Sequence, residues 1–232
     1  MSRQEKLAAL ASTGITKAEL DNIDGGTARG TTAIADGDGV LINDAGTMRM
    51  TSVETMATYI GTKVGGGLEF ISSTDISNAA TASFTGFDSS KYDSYLFTCG
   101  NIVPATDGAV FGARMSVDGG SNYLSASDSY RQTAAAGYNA GDANIIPFLY
   151  YGFGNVSTEG GSLDVKINNP HLNTRTYAIT NGGVCANSSD TTNTAATNGG
   201  TKVATVVNAV QFLFGSGNIA SGTITMYGLV NS

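Results

Sequence analysis

Residues 36–63 read DGDGVLINDAGTMRMTSVETMATYIGTK, and this stretch divides the chain. Val40-Leu41-Ile42 is a short apolar β-type run, and Thr47-Met48-Arg49-Met50-Thr51 alternates with period two. Between them Asn43-Asp44-Ala45-Gly46 supplies the residue types that tolerate positive φ in a tight hairpin. Thr51 and Glu54 then have the spacing of a capping box. Val53, Met56, Ala57 and Ile60 follow at i, i+3, i+4 and i+7, which predicts one apolar stripe on a short helix closed by Gly61. Everything before this stretch is too small to fold alone. Everything after it is β-rich.

A helix of roughly ten residues is marginal in water because nucleation costs more than its few hydrogen bonds return. A lone two-stranded hairpin is marginal too. The apolar stripe therefore needs a partner surface, either the following domain or copies of itself about an axis. Asp36-Gly37-Asp38-Gly39 opens like a calcium loop, but that pattern needs an oxygen ligand at position 5 and a Glu at position 12. Those places hold Val40 and Thr47, which favours a solvated turn.

Toward the N-terminus the same devices recur. Ser2 and Glu5, then Thr16 and Glu19, have capping-box spacing, each ahead of a narrow apolar face. Leu7, Leu10, Leu20 and Ile23 on those faces, with Val53, Met56 and Ile60 of the helix after the hairpin, are the expected docking and oligomerisation residues. Residues 25–35 are rich in Gly, Thr and Ala and read as a linker or extended segment.

Beyond the glycine hinge Gly65-Gly66-Gly67 the pattern changes. Residues 68–72, 82–87, 92–99, 109–117, 145–153, 162–168, 174–180, 202–214 and 222–230 are strand candidates, rich in β-branched and aromatic residues. Turn clusters such as Asp118-Gly119-Gly120-Ser121 and Asn181-Gly182-Gly183 separate them. The expectation is a mainly β protein. A C-terminal antiparallel β-sandwich or jelly-roll-like domain over residues 68–232 follows an N-terminal region, residues 1–64, of short helices and a hairpin-helix. A domain of about 165 residues buries roughly 70 % of its unfolded surface, enough to stand alone. Two segments, residues 125–144 and 185–201, read as long loops, and long loops in compact domains tend to bind. Tyr123, Tyr130, Arg131 and Tyr138 in or beside the first, with Asp190 and Asn193 in the second, are the candidate receptor contacts. Rings can stack on sugar faces while fixed acceptors read hydroxyls, although Tyr is equally common at subunit interfaces.

Composition narrows the function. Charged residues are only 13 % of the chain, and 31 glycines with 3 prolines and no Trp suit short strands joined by turns. A formal charge of −7 gives no basic footprint for nucleic acid and disfavours anionic lipid. The apolar runs are too short to span a bilayer, and MSRQEKLAALASTG lacks the apolar core of a signal peptide. Two cysteines, Cys99 and Cys185, and one histidine support no zinc site; both thiols are expected buried and free. His171 has no G-x-S-x-G partner, the glycine clusters lack the Lys-Ser/Thr of a phosphate loop, and most acidic residues fall in turn contexts. No catalytic constellation and no cofactor is expected.

Several segments carry a resemblance. Ala18-Glu19-Leu20-Asp21-Asn22-Ile23-Asp24-Gly25 is similar to a segment recurrent in bacteriophage tail-fibre and related virion proteins. Ile42-Asn43-Asp44-Ala45-Gly46-Thr47-Met48 with the helix after it resembles a module of fibre-type proteins, particularly of marine phages. Tyr92-Asp93-Ser94-Tyr95, Pro104-Ala105-Thr106-Asp107-Gly108, Ser116-Val117-Asp118-Gly119-Gly120-Ser121 and Gly222-Thr223-Ile224-Thr225-Met226-Tyr227-Gly228-Leu229 resemble their β-rich C-terminal domains. The resemblance implies a homotrimeric virion protein, assembled in the host cytoplasm, with its N-terminal part toward other virion proteins and its β domain outward. It also implies a short fibre or tip, since no long coiled coil or repeated shaft is present. Receptor binding, to a host-surface glycan or protein, is a further step. The rival expectations are a capsid or tail decoration protein without receptor role and a glycan-cleaving tail protein.

Overall fold

The computed structural model describes residues 2, 4–5, 31–63, 67–134, 138–149, 152–185, 192–195 and 198–230; for residues 63, 132–134, 138–142, 184–185 and 192–195 it describes the backbone alone. The chain divides into two compact units, Met1–Val64 and Gly65–Ser232.

In the first unit, β1 (Gly39–Asp44) and β2 (Thr47–Ser52) pair antiparallel, with Asp44 opposite Thr47. That register leaves Ala45 and Gly46 as a two-residue loop with φ of 51° and 92°, the two positive values of a type I′ turn. The Asn43 side chain accepts from the Gly46 N–H at 2.7 Å and locks it. Helix α1 (Val53–Lys63) follows directly. Its cap differs from the expected Thr51–Glu54 pair: Ser52 Oγ accepts from the Thr55 N–H at 3.1 Å and pairs with the Thr55 hydroxyl at 2.9 Å. The reason is that Thr51 still belongs to β2, so the first residue free to cap is one later. The helix also runs past Gly61 to Lys63, where Thr62 bonds back to the Tyr59 carbonyl. Asp36 to Gly39 is a turn that finishes this cap. The Val53 and Glu54 N–H groups donate to the carbonyls of Asp38 and Asp36, and Asp38 itself bonds to Ala35 through both side chain and backbone. Ser2 and Glu5 make the expected reciprocal cap contacts. Leu7, Leu10, Leu20 and Ile23 lie outside the described residues.

The second unit is a β-sandwich-like fold, antiparallel throughout. Its strands are β3 (Leu68–Ala79), β4 (Thr81–Phe84), β5 (Tyr92–Pro104), β6 (Phe111–Ser116), β7 (Tyr130–Ala134), β8 (Tyr138–Ala143), β9 (Ile146–Pro147), β10 (Gly160–Asn168), β11 (Tyr177–Cys185), β12 (Thr192–Ala195), β13 (Asn198–Thr201), β14 (Ala209–Phe214) and β15 (Ile219–Val230). The larger sheet has the order β3-β15-β5-β10-β11-β13-β7-β8, with β12 also on β11. The smaller has the order β4-β14-β6-β9. Strand β10 shows why they form: Leu163, Val165 and Ile167 are buried while Ser162, Asp164 and Lys166 alternate outward. Rings from both sheets interlock between them. Phe97 of β5 lies 5.1 Å from Phe212 of β14 and 5.4 Å from Phe84 of β4, and Phe111 of β6 meets Phe148 at 5.5 Å.

The two expected long loops are corrected here, because both carry strands. Residues 125–144 hold the β7–β8 hairpin, and residues 185–201 hold β12 and β13, which share the free edge of β11. Asn181-Gly182-Gly183 is not a turn but the middle of β11, paired with β10. Gly182 fits there because a Cβ would lie only 2.5 Å from Leu163 Cα and from the Ser162 carbonyl. Of the described residues in 145–153 only β9 is strand, and residues 202–208 form no strand, their one bridge, Thr205 to Thr174, lying outside the named strands.

A candidate binding groove on the larger sheet

The outward face of the larger sheet can be read row by row from its register. One row is wholly polar: Ser73, Thr225, Thr98, Asp164 and Asn181 stand side by side across β3, β15, β5, β10 and β11. The next row is apolar but for one residue: Phe70, Tyr227, Leu96, Lys166 and Ile179. Phe70 is 60 % exposed and meets Tyr227 edge-on, centroids 6.1 Å apart.

Above the polar row the sheet bends. The register shifts in β10 between Gly161 and Leu163 and in the β15–β5 pairing between Ser221 and Thr223. Asn101 in β5 takes a φ of 49° and Gly222 in β15 one of 144°. Irregularities stacked on three neighbouring strands increase twist and curve a sheet locally. An open groove of about 510 Å³ lies there, with Cys99 and Leu163 in its floor and Thr98, Ser162, Asp164, Asn181, Thr223 and Thr225 around it. Gly100 adds no side chain on that face, which keeps the groove open.

The polar groups are held unequally. Thr223 donates to Asp75 at 2.7 Å, the Thr225 hydroxyl pairs with Ser73 at 2.9 Å, and Ser162 Oγ accepts from the Asn101 N–H at 3.1 Å. Each of those hydroxyl oxygens is held by a neighbour with hydrogen-bonding capacity left over. The side chains of Asp164 and Asn181, opposite each other on β10 and β11, are exposed and make no hydrogen bond to any described residue. Cys99 beneath them is a buried free thiol, and burial together with the Asp164 charge pushes its proton affinity well above the usual thiol range.

None of the sequence-derived contact residues is among those lining this groove. Tyr130 is withdrawn as a contact: it is fully buried, its hydroxyl accepting from the Met115 N–H at 2.7 Å and donating to the Leu124 carbonyl at 2.9 Å. That phenol ties the large sheet to β6, and burial pushes its pKa up to about 12. Tyr123 is half-buried in the loop after β6, and Arg131 is exposed on β7. Asp190 and the side chains of Tyr138, Asn193 and Cys185 lie outside the described residues. Val53 and Met56 are half-buried on α1, and Ile60 is 49 % exposed. The groove residues escaped sequence reading because they come from four strands between residues 98 and 225. The available signal was the outward hydroxyls alternating with apolar residues, Thr223-Ile224-Thr225-Met226 above all.

Among the described residues no three His, Cys, Asp or Glu side chains are placed to hold a metal, and no helix is long and apolar enough to cross a membrane. No protein-family model matches the chain, and no curated protein sequence matches it significantly.

Proposed function

We propose that this chain is a non-enzymatic bacteriophage virion protein, a short homotrimeric tail fibre or fibre-like tip. Its N-terminal unit attaches it to other virion proteins, and its β unit recognises a glycan on the host surface. The observation that carries the reading is the contrast between the two units. Within residues 31–62 no side chain is buried, and Leu41, Met48, Met50, Tyr59 and Ile60 are all about half exposed or more, yet the turn and cap are fully built. Such an element is marginal alone and gains its stability when a partner covers it. The β unit has its own closed core and an ordered outward face with polar and aromatic rows side by side.

The non-enzymatic part rests on the groove's carboxylates. Glycoside cleavage needs two within roughly 5–9.5 Å. Asp164 on β10 and Asp75 on β3 are three strand spacings apart, roughly 14 Å. Gold-labelled antibody against the chain, applied to phage particles purified from lysed host cultures, tests the assignment. Labelling at the tail or another fixed point on the particle is expected; label confined to the soluble fraction contradicts it.

A further inference from the structure

We infer that the groove over β15, β5, β10 and β11 binds a neutral or amino sugar, one or two glycosyl units long, and rejects acidic saccharides. This rests on the glycan reading above and deepens it. The volume, about 510 Å³, lies within the range of small-ligand sites. Its chemistry is that of polyhydroxyl recognition. Asp164 is an acceptor pair and Asn181 a donor and acceptor beside it, both side chains unengaged by the described residues. The Thr223 and Thr225 side chains are already held by Asp75 and Ser73, so ordering them on binding costs little.

One row away, roughly 7 Å along the strands, Tyr227, Leu96 and Phe70 offer the apolar surface on which the C–H face of a pyranose packs. A ligand with hydroxyls on one edge and apolar C–H groups on its face matches this pair of rows, whereas a purely apolar segment would leave Asp164 desolvated and unpaired. No Lys or Arg lines the groove, and the chain carries a net charge of −7. A uronate, sialate or phosphorylated sugar seated at Asp164 therefore meets repulsion from that carboxylate, and the nearest outward cation on β10, Lys166, stands one row away, roughly 7 Å along the strand. A protonated amino group meets an unpaired carboxylate.

The test is titration calorimetry of the full chain against four probes: neutral hexose oligosaccharides, N-acetylhexosamine oligosaccharides, glucosamine oligomers and oligouronates. Binding to one of the first three and none to the oligouronates is expected. Asp164→Ala and the isosteric Thr98→Val should each weaken that binding, the first by about tenfold or more, with the melting temperature unchanged. Arg131→Ala, outside the groove, should leave it within twofold. If a neutral or amino saccharide binds but both groove variants leave Kd unchanged, this site is wrong and the glycan reading stands. Oligouronates binding best overturns the ligand class. If none of the four binds at millimolar concentration, the glycan reading itself fails, and this inference with it.

Discussion

Replacing Tyr130 with phenylalanine removes one oxygen atom and probes whether this residue is an internal tie or a contact surface. In the structure the phenol accepts from the Met115 N–H and donates to the Leu124 carbonyl, while the Leu124 N–H returns to the Met115 carbonyl at 2.9 Å. Tyr130 and Met115 are both fully buried. Phenylalanine keeps the ring packing, so the loss is two hydrogen bonds of about 1 kcal/mol each plus the cost of leaving a buried N–H unpaired, together about 2–4 kcal/mol. For a unit of this size each kcal/mol shifts the melting temperature by roughly 2–4 °C, so Y130F should melt roughly 5–15 °C below the parent chain. Scanning calorimetry of the full chain, with Tyr123→Phe as the half-buried comparison, reads this directly. A Y130F midpoint within a degree of the parent, alongside lost saccharide binding, would refute the reasoning and return Tyr130 to the surface.

Other expectations follow from single contacts. Gly112→Ala would place a Cβ 2.5 Å from the Ile146 carbonyl and 3.2 Å from Pro147 Cα, both backbone, so it should break the β6–β9 pairing and cost about 1–3 kcal/mol by chemical denaturation. Ser52→Ala should cost the helix about 1 kcal/mol, seen as faster amide exchange over residues 53–58 with the sandwich amides unaffected. Asp118 accepts from the Asn122 side chain and N–H and from the Ser116 hydroxyl, which together lower its pKa from 3.8 to about 2. A depressed carboxylate stabilises the fold above its unfolded value and loses that contribution as pH falls. Melting temperature should therefore drop as pH goes from about 4 to about 2, and Asp118→Ala should flatten that limb while lowering stability at pH 7.

The division of the chain was legible because its signals are local. Asn43 to Gly46 carries its own turn chemistry, and Leu163, Val165 and Ile167 alternate with polar residues in plain view. The cap was misplaced by one residue because Thr51 and Ser52 are both competent, and only the length of β2 decides between them. Strands β8, β12 and β13 were missed because most of their residues are small or polar, as in NGGT, and β7, YRQTA, because one aromatic in five residues shows no apolar alternation. Such segments pair because a neighbouring edge is free, not because a face is apolar. Val203 and Val206, by contrast, look like strand residues yet are exposed, at 64 % and 42 %, in the connection before β14. Of the groove, only the alternating outward hydroxyls such as Thr223 and Thr225 were legible. The rest depends on register between strands far apart in sequence, and on bulges that no local pattern announces.

In the proposed homotrimer the exposed apolar residues of the hairpin and helix α1 are covered by copies of the same chain. Light scattering of the full chain at micromolar concentration tests this most directly. A mass three times that of the 23.6 kDa chain is expected. A monomeric mass at every concentration measured contradicts it.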